Sequence, residues 1–248
     1  MKRISIPFIW LIAAVVAMSG ARPTRTAFRN AIPIVRNESA GGTVILPTMR
    51  FGGNDDDEMV RAIARARLRD GEAGTYIPEI LLERDSALAR WHDRPLQPVT
   101  VWVQSASQLD DWNDDYVESV AGAFRSWDAV ELPIRFKVVA DSAAAEVHVT
   151  WIDRFDAPIS GRTRWSRDDK WWIVNASILL AVHHQHGEVL DRSAMRAMAL
   201  HEVGHLLGLD HTSDPGSIMA PRVRVRDLTD KDRASIRLLY SVTPGSFR

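Results

Sequence analysis

Three histidines and a glutamate stand close together towards the carboxyl end of this 248-residue chain. They are His201, Glu202, His205 and His211, and Gly208 lies between the last two histidines. On an α-helix, positions i and i+4 lie on one face, so His201 and His205 can direct their imidazole rings at one ion. The imidazole nitrogen is a common zinc ligand, and three protein ligands leave one position of a tetrahedral zinc free for water.

The other two fixed residues complete a catalytic pattern. Glu202 follows the first ligand and can act as general base towards a water at the metal. Gly208 tolerates the left-handed conformation that ends a helix, so the chain can turn and bring His211 back as third ligand. The pattern therefore predicts a catalytic zinc site, and the activity we expect from it is that of a zinc peptidase.

This motif, followed by Met219, resembles the metzincin clan of zinc endopeptidases. In that clan a methionine-containing turn, the Met-turn, runs beneath the zinc, so the resemblance implies that Met219 supports the site without being a ligand. The residue directly after the third histidine is Thr212, and a threonine at this position resembles the matrixins, the matrix-metalloproteinase-like family. The stretch 228–240 is similar to the last helix of matrixins, and Asp232 matches an acidic position there.

The resemblance covers roughly residues 98 to 240 and implies an α+β fold. We expect a twisted mixed sheet, an active-site helix, the Met-turn and a C-terminal helix. It also implies an endopeptidase that acts on protein or peptide substrates, with one catalytic Zn²⁺ and with Glu202 as general base. Calcium is possible, with no ligands assigned. The alternative is a catalytically silent zinc-binding protein of the cell envelope that recognises peptides.

The chain also departs from the matrixin pattern. Animal matrixins keep themselves latent with a propeptide cysteine on the zinc, and this chain contains no cysteine. Val223 stands where the family often has a tyrosine that shapes the pocket after the scissile bond. The loop 153–161 contains no histidine, so the ligands of a second, structural zinc are not recognisable.

The amino terminus has the pattern of a secretory signal peptide. Lys2 and Arg3 precede an apolar run over residues 4–18, and small residues follow at 19–21. This order predicts a signal peptide at residues 1–21 and an exported protein, secreted, extracellular or periplasmic. An uncleaved N-terminal membrane anchor is the alternative, although the run is shorter than the ~20 apolar residues of a typical membrane span.

The remaining sequence predicts two regions. Residues 22–93 are expected to be a pro-segment or a permanent accessory region, mostly helical, and residues 94–248 the catalytic domain. Apolar periodicity predicts helices at 58–69, 77–91, 112–127, 195–207 and 228–240, and strands at 99–103, 134–139, 145–151 and 171–182. We expect an extended substrate to pair with the strand that ends near Val182.

Composition argues against nucleic acid as a partner, and the sequence leaves a second zinc site and a calcium site as alternatives. A net charge of −1 gives no indication of nucleic acid binding, and we expect a monomer. The histidines at 183, 184 and 186 predict a polar turn, because neighbours on a strand face opposite sides and cannot all face one ion. A second zinc is the alternative. Calcium could bind loop carboxylates at Asp153, Asp156, Asp168 and Asp169.

Overall fold

The structure is a computed structural model, and it describes residues 53–247 of the chain. These residues form five α-helices and eight strands. The helices are α1 (Gly53–Gly71), α2 (Ile77–Glu83), α3 (Asp115–Asp128), α4 (Arg192–Leu206) and α5 (Asp230–Tyr240). The strands are β1 (Ala87–Leu88), β2 (Arg90–Trp91), β3 (Val99–Val103), β4 (Phe136–Val138), β5 (Val147–Ile152), β6 (Gly161–Arg167), β7 (Trp172–Ala181) and β8 (Gly245–Ser246).

Six strands form one mixed sheet. The order is β2-β7-β5-β3-β4, all neighbours are parallel, and β6 adds to β7 in the antiparallel direction. Strands β1 and β8 form a separate antiparallel pair. The predicted α+β class with a mixed sheet is confirmed.

Helices α3 and α4 pack against each other to build the core around the metal motif. Tyr116, Phe124 and Trp127 form the buried stripe of α3 that the sequence predicts. The indole Nε1 of Trp127 donates a hydrogen bond to the carbonyl of Leu200 on α4, at 2.9 Å. This bond fixes the position of α4 one residue before its first metal-motif histidine.

The sheet differs from the prediction at β6, which the sequence pattern did not indicate. Thr163 and Trp165 point inward but are only partly buried, and Arg162 and Arg164 are exposed, so apolar alternation is absent. Because β7 pairs with β5 on one side and β6 on the other, the strand that ends near 182 has no free edge for a substrate. That expectation was wrong, and β6 is the edge strand.

The helix predicted at 77–91 is also wrong beyond its first half. Helix α2 ends at Glu83, and after Arg84 the residues Asp85 and Ser86 have φ values of 55° and 63°. A right-handed helix cannot continue through this left-handed backbone. The chain then forms β1 and β2, and Trp91 is 1% exposed in the core.

Each of the other predicted helices overlaps an observed helix, with ends that differ by up to five residues. The predicted helix at 58–69 lies within α1. Asp191 caps α4, because its side chain accepts a hydrogen bond from the Ala194 amide, and Thr229 and Asp232 form a capping box at α5. Residues 1–52, which include the predicted signal peptide, lie outside the described residues. Within residues 53–247, no helix is long and apolar enough to cross a membrane.

Candidate metal centre

The three histidines of the motif converge on one point. His201 and His205 lie one turn apart on α4, and His211 returns after the helix has ended. The Nε2 atoms are 3.1 Å apart for His201 and His205, and 3.3 Å apart for His211 and each of the others. A tetrahedral zinc with Zn–N bonds near 2.05 Å needs ligand nitrogens about 3.3 Å apart. The triangle therefore fits a zinc ion.

The hydrogen bonds of the outer ring nitrogens fix which nitrogen is free. Nδ1 of His201 donates to the carbonyl of Ile218 at 2.7 Å, and Nδ1 of His205 donates to the carbonyl of Leu209 at 3.1 Å. Each Nε2 then carries a lone pair directed at the centre. Burial lowers the pKa of His201 to about 4 and that of His205 to about 3, so both rings are neutral near pH 7.

Glu202 lies beside this centre and is 3% exposed. The Thr163 hydroxyl is 2.6 Å from Oε2 of Glu202 and 2.9 Å from its carbonyl oxygen, so its single proton can go to either acceptor. Burial raises the pKa of Glu202 to about 7, against the opposing effects of the Thr163 hydrogen bond and the Arg162 charge. A carboxyl with such a pKa can both take and release a proton near neutral pH.

Strand β6 approaches Glu202 closely because it begins with glycine. A Cβ atom on Gly161 would lie 2.4 Å from Oε1 of Glu202. The free edge of β6 borders a cleft of about 610 Å³ that contains the metal centre. The cleft walls include Arg84, Trp165, Met198, Pro221, Arg222 and Val223.

The Met-turn lies under α4, as expected from the resemblance. Met219 is fully buried, and a Cβ on Gly204 would lie 2.3 Å from its Sδ atom. The buried carboxylate of Asp232 accepts hydrogen bonds from the Ser217 hydroxyl and from the Ile218 amide at 3.2 Å. Because the Ile218 carbonyl receives the proton of His201, Asp232 and the Met-turn together orient the first ligand.

The histidines at 183, 184 and 186 have separate partners. Nδ1 of His183 is 2.7 Å from Asp153, and its Nε2 is 3.1 Å from Asp111. His184 contacts the Ser160 hydroxyl at 2.8 Å, and His186 is exposed in the turn. In the part of the chain that the structure describes, only His201, His205 and His211 bring three potential ligand atoms together.

Calcium stays a prediction. Asp153 is engaged with His183 and Arg154. One carboxylate oxygen of Asp168 accepts from the amides of Lys170 and Trp172, both at 2.9 Å.

The sequence did not indicate four residues that contact the site. Gly161 and Thr163 lie on β6, the edge strand that was not predicted. Glu79 lies on α2, and Arg84 is the residue directly after it. Arg84 bonds the chain around Asp210, and Glu79 bonds Thr212. Such partners are distant along the chain and belong to no motif.

Comparison with known proteins agrees with this geometry. Residues 154–241 match the family model described as Matrixin. Metalloendoproteinase 1 of Glycine max is 28% identical over 153 residues, 53% of this chain and 48% of its own length. Metalloendoproteinase 1-MMP of Arabidopsis thaliana is 28% identical over 171 residues, 59% of this chain and 44% of its own. Matrix metalloproteinase-C of Caenorhabditis elegans is 24% identical over 189 residues, 69% of this chain and 30% of its own.

The chain thus spans about half the length, or less, of these relatives. The matched segment contains the three convergent histidines, Glu202 and the Met-turn. The described domain has a metzincin-like α+β fold, and its segment 154–241 is similar to the matrixins.

Proposed function

We propose that this protein is a zinc-dependent endopeptidase that hydrolyses peptide bonds in protein substrates. The observation that carries the proposal is the convergence of three Nε2 atoms beside a buried carboxyl, in a cleft with a free strand edge. A structural zinc site would be closed by a fourth protein ligand, whereas three ligands leave a position for the reaction.

His201, His205 and His211 would hold the zinc. When bound, zinc supplies a Lewis acid that lowers the pKa of water towards ~7 and polarises a carbonyl. Glu202 accepts the proton of the attacking water and then delivers it to the leaving amine. The Thr163 hydroxyl bonds the Glu202 carboxyl and holds it in place for both steps.

The substrate would lie extended along β6. This strand pairs only with β7, so its other edge can form main-chain hydrogen bonds with a peptide added as a further strand. Val223 lines the cleft beside Pro221, where a side chain of the substrate would enter. A valine there offers an apolar wall and no hydroxyl group.

Replacement of the base by its amide tests this mechanism. Glu202→Gln keeps the size of the side chain but removes the proton acceptor, so we expect cleavage of denatured casein to fall by roughly 10²–10⁴-fold. The zinc content should stay at that of the wild type. Glu188→Gln, at an exposed glutamate outside the cleft, is the matched control and should keep full activity. Cleavage by Glu202→Gln at the wild-type rate would remove Glu202 from its role.

The same assay separates the alternative, a silent zinc-binding protein that recognises peptides. That protein would contain zinc and bind peptides but would not cleave casein, with or without a zinc chelator. The favoured function requires cleavage that a chelator stops and added zinc restores.

Export and processing are parts of the proposal that concern residues 1–93. We propose a signal peptide at residues 1–21 and a pro-segment or accessory region at residues 22–93. Export predicts mature protein outside the cytoplasm without residues 1–21. Recovery of the intact N-terminus from the cytoplasm would contradict it.

A further inference from the structure

Residues 76–91 pack behind the turn that carries the third histidine. We call these residues the support segment, and they lie before the residues that match the matrixin family. Its side chains at 76, 77, 80, 88 and 91 are all at most 1% exposed in the core. The indole of Trp91 donates to the carbonyl of Leu206, the last residue of α4, at 2.9 Å. The support segment therefore contacts the chain just before the third ligand.

Arg84 binds that turn through all three guanidinium nitrogens. Nε donates to Asp210 at 2.8 Å, Nη1 to the carbonyl of Gly208 at 2.9 Å, and Nη2 to the carbonyl of Leu209 at 3.2 Å. The Leu209 carbonyl also accepts the Nδ1 proton of His205. One guanidinium thus contacts the residue before His211 and an acceptor of His205.

Glu79 binds the chain on the other side of the same ligand. Its carboxylate accepts from the hydroxyl of Thr212 at 3.0 and 3.1 Å and from the amide of Ser213 at 2.7 Å. The Thr212 amide in turn donates to the carbonyl of Met219 at 3.1 Å. His211 is therefore held between two charged residues of the support segment.

The backbone of the support segment closes the remaining side. Gly208 has a φ of +105°, and a Cβ atom there would lie 2.1 Å from the carbonyl oxygen of Ala89. Only glycine combines this conformation with so close an approach. The turn is thus shaped against the support segment as well as by its own sequence.

We propose that Arg84 and Glu79 are positioning residues that hold His211 in its ligand geometry, so that residues 76–91 are a permanent part of the metal site. The proposal rests on the zinc site of the proposed function but not on proteolysis. Residues that orient metal ligands typically change metal affinity by 10–100-fold when they are replaced. A side chain that only stabilises the fold would change stability and leave the affinity of the folded protein unaltered.

Zinc affinity of the full chain is the first test. Arg84→Met keeps the apolar stem and removes the three donors, and Glu79→Gln removes the charge. We expect the zinc dissociation constant, measured by competition with a chelating dye, to rise by about 10–100-fold in each variant. Two matched controls should leave it unchanged: Glu83→Gln, at an exposed position of α2, and Arg125→Met, in an exposed ion pair with Glu118.

Cobalt spectroscopy is the second test. Co²⁺ in the three-histidine site reports ligand geometry through its visible absorption, and both variants should shift or weaken the bands relative to the wild type and the controls. Arg84→Lys, which keeps the charge but cannot make three directed bonds, should fall between the wild type and Arg84→Met. This variant also provides the comparison if Arg84→Met does not fold.

The outcomes separate the two proposals. Wild-type affinity and an unchanged cobalt spectrum in folded Arg84→Met and Glu79→Gln would overturn the positioning role. A wild-type protein that binds zinc but cleaves nothing would overturn the proposed activity and leave this test readable.

The permanent role also predicts that the N-terminus of the mature protein lies before Tyr76, and a mature start at 94 would contradict it.

Discussion

The histidines of the candidate metal centre and His183 have different surroundings. At the metal centre, the outer nitrogens of His201 and His205 donate to backbone carbonyls, and burial lowers the pKa of both rings. His183, by contrast, is buried between the carboxylates of Asp111 and Asp153. The hydrogen bond to Asp111 raises the pKa of His183 against the opposing effect of burial, and Asp153 raises it further.

The difference shows that the partners of a histidine decide its chemistry. A neutral carbonyl partner leaves the ring uncharged and frees its second nitrogen for a metal. Two carboxylate partners favour the imidazolium and occupy both nitrogens, so none remains to bind an ion. The residue type is the same, but one group is arranged to bind a cation while the surroundings of the other favour its own protonated form.

The largest expected effect is the difference between two histidine-to-glutamine substitutions, one at His205 and one at His183. His205→Gln removes a proposed direct zinc ligand. The zinc dissociation constant should therefore rise by more than roughly 100-fold, the upper range for replacement of a residue that only orients a ligand. His183→Gln should bind zinc as the wild type does. Isothermal titration calorimetry on the two variants measures both. Equal losses would mean that His183 also supports the metal centre.

Removal of zinc should destabilise only a protein with an intact centre. At free zinc 100 times its dissociation constant, binding adds about 2.7 kcal/mol to the free energy of unfolding. In a domain of this size, that corresponds to a Tm higher by roughly 5–11 °C. We expect a chelator to lower the Tm of the wild type and of His183→Gln, but not that of His205→Gln. A chelator without effect on the wild type would argue against the zinc site.

A smaller effect should follow from removal of the contact to Glu202, the proposed general base. Thr163→Val deletes the hydroxyl that bonds Glu202, and a hydrogen bond to a charged group contributes about 1.5–3 kcal/mol. We expect kcat to fall by roughly tenfold or more with little change in KM, and Thr163→Ser to restore it. Thr243→Val, at an exposed threonine outside the cleft, is the control. A change in KM alone would indicate a role in substrate binding.

The smallest expected effect is a difference in pH dependence. Because the folded-state pKa of His183 is raised, its ion pairs stabilise the fold fully below the unfolded pKa near 6.5, and this contribution is lost as pH rises through the folded pKa. The stability of the wild type relative to His183→Gln should therefore decrease with rising pH above about 6.5.

Urea unfolding of both proteins, with excess zinc, measures this difference. Titration of the metal-centre histidines cancels because both proteins contain them. The groups that face His183 are Asp111 and Asp153, and Arg154 pairs with Asp153. A difference that stays constant from pH 5 to 9 would show that folding does not raise the pKa of His183.

Local sequence was sufficient for the features set by short-range geometry. Helical spacing brings His201 and His205 to one face, and Gly208 permits the turn to His211. Strand β3 was predicted at its observed bounds because Val99, Val101 and Val103 alternate with less buried residues. Each of these features depends on neighbours within one turn or one strand.

Other features depended on partners far along the chain. Strand β6 has no apolar alternation, and it forms because β7 supplies its hydrogen bonds. The helix predicted to reach Trp91 stops at Glu83, since the following residues are needed as strands that pair with β8 and β7. Their gain in pairing and burial outweighs a local helical preference.

The sequence by itself predicted the proposed metal ligands and base, because a motif within one helix and its following turn fixes their relative positions. Its family resemblance also predicted the α+β fold class. Only the tertiary structure decided what surrounds them: the edge strand with Thr163, the hold of Arg84 and Glu79 on the turn, and the ion pairs of His183. Hydrogen bonds between residues 30 to 133 positions apart leave no periodic signal in a sequence. They exist only once the core has brought their elements together.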